Sequence, residues 1–146
     1  MVMAMSDLPK FVTVQEEGPR EGFQIEAGAI ATADKVRFIE ALAETGLKKI
    51  DCVSWVNPKR VPGMADAEAV ARSLRKKDGV RYTGLWLNSN GFQRALQMPL
   101  DLIGAIMLAA SEPFSIKNTG KTIAETLNDQ RATVDLYLEH QVEIRW

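Results

Sequence analysis

The sequence predicts an α/β fold of parallel strands joined by helical crossovers. Three observations carry that prediction. Short β-rich runs alternate with stretches of helical periodicity, in the order β-α-β-α-β-α-β-α-β. Turn residues punctuate the alternation, at Gly18-Pro19, Gly46 and Asp78-Gly79. The run from Leu102 to Ala110 is almost wholly apolar, as a strand buried on both faces of a parallel sheet would be. Two architectures satisfy this order: an open doubly wound sheet, or part of a (β/α)8 barrel. A full barrel takes about 250 residues, so a chain of 146 covers about half of one.

Phe11 to Gln15 alternates apolar and polar residues and reads as the first strand, ended by Gly18-Pro19. A long loop is expected through Ala31. Thr32 is a fair N-cap, with Asp34 in the first turn, and Val36, Ile39, Leu42 and Ala43 then recur at helical spacing until Gly46. Lys48 to Val53 is the second strand. The two prolines of SWVNPKRVPG, Ser54 to Gly63, make that segment a loop. A helix is expected over Ala65 to Lys77, with Arg75, Lys76 and Lys77 suiting the negative end of its dipole. Val80 to Leu87 is the third strand and Asn90 to Gln97 a short helix. After the apolar fourth strand, Ser111 to Gly120 reads as loop. Thr122 and Glu125 form a capping box for a helix to about His140, with Ile123, Leu127, Val134 and Leu138 inward. Val142 to Trp146 begins a fifth strand.

Composition sets bounds on function. With 18 basic and 19 acidic residues the net charge is −1, so no strong field of one sign implies a nucleic-acid partner. The longest apolar run is too short to span a bilayer, and the N-terminus makes a poor signal peptide, so a cytoplasmic protein is the default expectation. The single cysteine, Cys52, excludes an internal disulfide and reads as a small core residue rather than a nucleophile. GxGxxG and GxxxxGK[ST] are both absent, which argues against a nucleotide-binding open sheet, and the Gly-Lys-Thr within KNTGKT reads as a helix cap. His140 stands alone at a helix end. The three tryptophans form no visible stacking platform.

Chemistry-bearing residues fall at the strand exits, the end where both architectures place their sites. Arg20 and Glu21 follow the first strand. Asp51, Ser54 and Asn57 lie at or after the end of the second. Asn88 follows the third, and Ser111 and Glu112 the fourth. A guanidinium there can neutralise a forming oxyanion, and a carboxylate can hold a metal.

Four motifs carry a resemblance. EEGPREGFQIE (Glu16 to Glu26) resembles the pattern E-x-GPRDG-x-Q-x-E of hydroxymethylglutaryl-CoA lyases. IDCVSWVNPKRVPGMAD (Ile50 to Asp66) is similar to that family's I-E-x-x-S-F-V-x-P-K-x-V-P-x-M-x-D. LNSNGFQRA resembles P-N-x-x-G-F-x-x-A, and ASEPFSIKN resembles A-S-E-x-F-x-x-K-N. Order and spacing match from about Phe11 to Trp146.

The resemblance implies a partial (β/α)8 TIM barrel of about four and a half βα units, in one domain over residues 1–146. It implies membership of the metal-dependent lyases that include isopropylmalate and homocitrate synthases. It also implies retro-Claisen cleavage of 3-hydroxy-3-methylglutaryl-CoA to acetyl-CoA and acetoacetate, with Mg²⁺ or Mn²⁺, and so a place in leucine degradation and ketone-body metabolism.

Carried over by motif, Arg20 contacts the substrate carbonyl and stabilises the enolate, and Asp51 takes the place of an active-site glutamate. Gln24 and Ser54 line the pocket, and Glu21 falls where the family has an aspartate metal ligand. Relative to the pattern, Glu21 is one methylene longer and Asp51 one shorter, an exchange that can retune the pocket for a different acyl-CoA. The family's His-x-His pair, a further asparagine and a cysteine in a glycine-rich loop are not found in these 146 residues. The chain is therefore expected to hold half a site and to be inactive alone. Its open edges suit pairing with another copy or with a C-terminal half, and a non-catalytic acyl-CoA binding module is a further alternative.

Overall fold

The computed structural model describes residues 8–26 and 28–145. Its elements run β1 (Gln15–Glu16), α1 (Gly18–Ile25), α2 (Thr32–Ala43), β2 (Lys49–Ser54), a 3₁₀ turn (Pro62–Met64), α3 (Ala67–Ser73), β3 (Arg81–Leu85), α4 (Ser89–Ala95), β4 (Ile103–Ala105), α5 (Glu112–Thr119), α6 (Ile123–Glu139) and β5 (Glu143–Arg145). All strand pairings are parallel, as the crossover pattern requires. The alternation of strands and helices is the expected partial barrel.

β2 is the central strand. β1 pairs with it at Gln15↔Lys49 and Glu16↔Ile50, and β3 runs along its other side from Lys49↔Arg81 to Ser54↔Leu85. A bulge falls between Asp51 and Val53. Helices α2 and α3 cover β2 through Ile39, Ala43, Ala67, Val70 and Ala71, all in one core with Ile50 and Tyr82. This burial removes the apolar stripe of each helix from water and supplies the main driving force for the fold.

An aromatic cluster holds the later elements. Trp86 Nε1 donates to the Tyr137 hydroxyl at 2.6 Å. The Phe92 ring packs against both, with centroids 5.5 Å from Trp86 and 5.4 Å from Tyr137. Tyr137 comes from α6 and lies directly on Gly104 of β4, where a Cβ would collide with its ring.

The sheet is not continuous. β1-β2-β3 form one sheet and β4-β5 another. Asp101 bridges the gap: its amide donates to Tyr82 O at 2.7 Å, and its Oδ2 accepts from the Tyr82 amide at 2.8 Å. Arg81 pairs with Glu143 at 2.7 Å, and Arg145 donates to the Gln15 side chain, so β5 reaches back to both β3 and β1.

Several boundaries differ from those the sequence predicts. The first strand is confined to Gln15–Glu16. Phe11 is 91% exposed, and Val12 and Val14 are exposed too, because β2 begins opposite Gln15 and offers no ladder further back. The expected loop after Gly18-Pro19 contains α1, with proline in its first turn, where its missing N–H costs nothing.

Thr32 does not cap α2. The N-cap is Ala31, and the Thr32 hydroxyl donates to Asp66 instead. α3 ends at Ser73, and Leu74 turns to extended geometry. Arg75 and Lys77 therefore leave the helix and pair with Glu40 (2.7 Å) and Glu44 (2.6 Å) of α2.

The apolar run Leu102 to Ala110 forms only a three-residue strand. It has one partner, β5, and Met107 and Leu108 stay exposed. The expected loop after Ser111 holds α5, closed by Gly120 in the left-handed region at φ 76°. The capping box on α6 is present on both sides, but Thr126 and Tyr137 are its buried residues, while Leu127 and Leu138 are exposed. Trp146 lies outside the described residues.

Gly104→Ala should lower the urea unfolding midpoint, at a cost of about 1–3 kcal/mol, because the new methyl meets the Tyr137 ring in a packed site.

Candidate functional site

α1 starts immediately after β1 and is only eight residues long. Its first turn places Arg20 over the body of β2, where the guanidinium is almost entirely buried. Each edge of that guanidinium meets a carboxylate. Nε donates to Asp51 Oδ2 at 2.6 Å, Nη2 to Glu17 Oε2 at 2.5 Å, and Nη1 to Glu21 Oε1. Asp51 is held from its other oxygen by the Thr83 hydroxyl of β3, at 2.9 Å. Gln24, one turn along α1, donates to Glu21 Oε2 at 3.2 Å.

Burial works against the Arg20 charge, but Asp51, then Glu17 and Glu21, outweigh it and raise its pKa above the usual guanidinium value. Burial dominates at Asp51 and pushes its carboxyl up, while Arg20 and the Thr83 hydrogen bond pull it back without cancelling the effect. The two directions are compatible, because the single positive charge is divided among three carboxylates. The partners differ in access: the side chains of Glu21 and Glu17 are 56% and 42% exposed, against 10% for Asp51. An anionic or carbonyl oxygen can displace either glutamate while Asp51 stays in place.

The residues predicted from the motifs thus separate into two groups. Arg20, Glu21, Gln24 and Asp51 form one network. Ser54 stands apart at the end of β2, fully buried, with its hydroxyl unpartnered. An unpartnered buried hydroxyl carries a desolvation cost that a ligand oxygen would relieve.

The other strand-exit residues have structural duties. Asn57 accepts from the Lys59 amide at 3.0 Å, Asn88 caps α4 through the Gly91 amide at 3.0 Å, and Glu112 accepts from the Ile123 amide at 3.1 Å. Burial pushes the Cys52 thiol well above its ordinary pKa, which suits a core residue and not a nucleophile. His140 is the C-cap of α6, its ring 5.5 Å from Phe92. Trp55 and Trp86 do meet, at 6.3 Å, but both are buried in the core.

Sequence reasoning missed Glu17 and Thr83. Glu17 lies three residues before Arg20, a helical neighbour, so its role was visible only once the segment was known to be helix. Thr83 is reached through the β2–β3 register, for which the sequence carries no local sign.

Metal binding meets a shortage of ligands. Among the described residues, no group of three or more His, Cys, Asp or Glu side chains is disposed to hold an ion. Glu21 offers one carboxylate, already engaged by Arg20 and Gln24. The residues present do not make a metal site. Among the described residues, no helix is long and apolar enough to cross a membrane.

No family model matches the chain. Individual relatives do. The mitochondrial hydroxymethylglutaryl-CoA lyase of Arabidopsis thaliana is 39% identical over 138 residues, which are 94% of this chain and 29% of that protein. The 3-hydroxy-3-isohexenylglutaryl-CoA/hydroxy-methylglutaryl-CoA lyase of Pseudomonas aeruginosa is 38% identical over 139 residues, 95% of this chain and 46% of that protein. The crystal structure of hydroxymethylglutaryl-CoA lyase from Pseudomonas aeruginosa superposes with a TM-score of 0.86 at 38% identity, over 94% of this chain and 46% of that one. The chain spans under half the length of these relatives.

Asp51 gives the pair a pH dependence. Its folded carboxyl holds a proton more tightly than an unfolded one, so stability falls as pH rises from the ordinary aspartate value through the raised one. Urea unfolding from about pH 4 to pH 8 should show this slope in the native chain and lose it in Asp51→Asn. Arg20→Met strands the carboxylate and should steepen the slope, with a loss of about 3–5 kcal/mol at neutral pH.

Proposed function

We propose that this chain, which belongs to the hydroxymethylglutaryl-CoA lyase family and matches the N-terminal half of its barrel, carries the anion-binding side of a site for retro-Claisen cleavage of an acyl-CoA. The observation that carries this reading is the buried Arg20, fixed by Asp51 and fronted by two displaceable glutamates. In this reading, residues 1–146 form one domain of the barrel.

The reaction takes the proton from the tertiary hydroxyl of 3-hydroxy-3-methylglutaryl-CoA and breaks the adjacent C–C bond. The electron pair moves onto the acetyl thioester as an enolate, acetoacetate leaves, and the enolate is protonated to acetyl-CoA. Arg20 supplies preorganised positive charge where the enolate oxygen develops. The thioester carbonyl exchanges for Glu17 or Glu21 on the guanidinium, and Asp51 keeps the fork aimed. Asp51, with its raised proton affinity, is the buried acid–base group of the set. Gln24 and Ser54 bond the substrate's polar groups, Ser54 through its unpartnered hydroxyl. Glu21 would give Mg²⁺ or Mn²⁺ a single carboxylate, too few ligands among the described residues to hold an ion. A place in leucine degradation or ketone-body metabolism, in the cytoplasm, goes with this reading.

The exchange of residue types at Glu21 and Asp51 favours a second reading, a related acyl-CoA lyase or synthase with a different substrate. The combined lengths of the two carboxylates are conserved across Arg20, but the longer arm is moved to the exposed side. A further reading is a half-barrel that closes against a second chain. It rests on the exposed Phe11, Val12 and Val14 beside the β1 edge, and a monodisperse monomer in light scattering would dispose of it.

The test is a chimaera in which this chain replaces the matching part of the Pseudomonas aeruginosa lyase. Cleavage of hydroxymethylglutaryl-CoA is expected, and Arg20→Met should lower kcat by about 10²–10³. A chimaera indifferent to Arg20→Met would falsify the assignment. Assaying the same chimaera on longer and shorter 3-hydroxyacyl thioesters separates the two substrate readings, and paired Glu21→Asp and Asp51→Glu changes should shift preference back toward the family substrate if the exchange retunes the pocket.

A further inference from the structure

Lys35 is buried to 5% exposure where three elements meet. Its ammonium donates to Gly63 O and to Asp66 Oδ1, both at 2.6 Å. The Thr32 hydroxyl donates to the other Asp66 oxygen at 2.6 Å, so Asp66 is fixed from both sides. Lys35 Nζ also lies 5.9 Å from the centre of the Phe23 ring, within cation–π range. Phe23 in turn packs edge-on against Phe38 of α2 at 5.6 Å. Gly63 presses on the Phe23 carbonyl so closely that a Cβ there would collide with it. Burial favours the neutral acid at Asp66, but the hydrogen bonds from Lys35 and Thr32 outweigh it and hold the carboxyl below its ordinary value.

α1 has little of its own to define its pose. It has eight residues, no side-chain N-cap bond and no basic residue in its last turn. Helices this short are marginal without tertiary support. Two of the contacts that fix it are Arg20 on Asp51 and Phe23 on the Lys35–Gly63 junction. Phe23 is three residues after Arg20, on the adjacent stretch of the same helix face.

We propose that Lys35, anchored by Asp66, is a positioning residue for Arg20: it seats the C-terminal turn of α1 and so sets the angle at which the guanidinium meets Asp51 and an incoming oxygen. This rests on the reading of Arg20 as the anion-binding group, but its test requires no turnover.

The measurement is hydrogen exchange of the Arg20 Nε–H in the ¹⁵N-labelled full chain, alongside Tm. Lys35→Met keeps the apolar stem and deletes the charge. It should speed Arg20 Nε–H exchange about tenfold, as expected for residues coupled in one network. Lys35→Arg should recover most of the protection. Lys77→Met, which cuts only the exposed pair with Glu44, should leave it unchanged. If Lys35→Met does not fold, Asp66→Asn gives the same readout, since it loosens the anchor and retains the ammonium. A lower Tm in either variant with unaltered Arg20 exchange is the behaviour of a purely structural contact and overturns the proposal. Arg20 exchange that follows Lys35, in a chain whose Arg20 resonance ignores added acetyl-CoA, upholds the positioning role and counts against the catalytic reading alone.

Discussion

The buried pair of Arg20 and Asp51 is the interaction on which the rest of the site depends. It joins the first helix to the central strand across 31 residues of sequence. Two desolvated charges are expensive unless each is fully bonded, and here each is: Arg20 by three carboxylates, Asp51 by Arg20 and Thr83. Helix α1 is therefore held through its charge as well as through the buried Pro19 and the Phe23 ring. Its side chains Glu21 and Gln24 bond to each other on the outer side of the guanidinium, at the strand exits where barrel folds do their chemistry.

The excess of carboxylate around Arg20 bears on selectivity. A guanidinium with a single carboxylate partner keeps its charge and makes a pair that is neutral overall. With three, the cluster holds more carboxylates than cations, and under the proposed reading a ligand oxygen has to compete with an exposed glutamate. Glu17 adds to that threshold, and the family pattern leaves its position open. The departures at Glu21 and Asp51 act on the same guanidinium, so the differences from the pattern concentrate on one group.

Much of the fold was legible because periodicity records burial. The α2 stripe of Ile39 and Ala43, the β2 run and the α6 capping box are local patterns with local causes. Errors arose where a pattern needed a partner that the chain does not place there. Phe11, Val12 and Val14 alternate as a strand does, yet no neighbour extends far enough to pair with them. Leu102 to Ala110 reads as a strand buried on both faces, yet among the described residues one strand, β5, pairs with it. The helices α1 and α5 were hidden behind prolines that look like breakers but occupy first-turn positions. Four of the motif-derived residues lie in one network, but the contacts that orient them, through Glu17, Thr83, Lys35 and Asp66, depend on register and tertiary approach. Neither is written into any short segment.

The break between β3 and β4 has a consequence for the order in which the chain assembles. Among the described residues no ladder of backbone bonds couples the two sheets, and the links between them include Asp101, an exposed ion pair, the Arg145–Gln15 bond and the aromatic cluster. The β1-β2-β3 sheet with α2 and α3 joins neighbouring pieces of sequence, with little loop-closure entropy to overcome, and shares one core with α4 and α6. During synthesis from the N-terminus it can consolidate while α4 to β5 are still emerging, and those later elements then dock onto a surface already formed. The core is complete only when Trp86, Phe92 and Tyr137 have packed onto that surface.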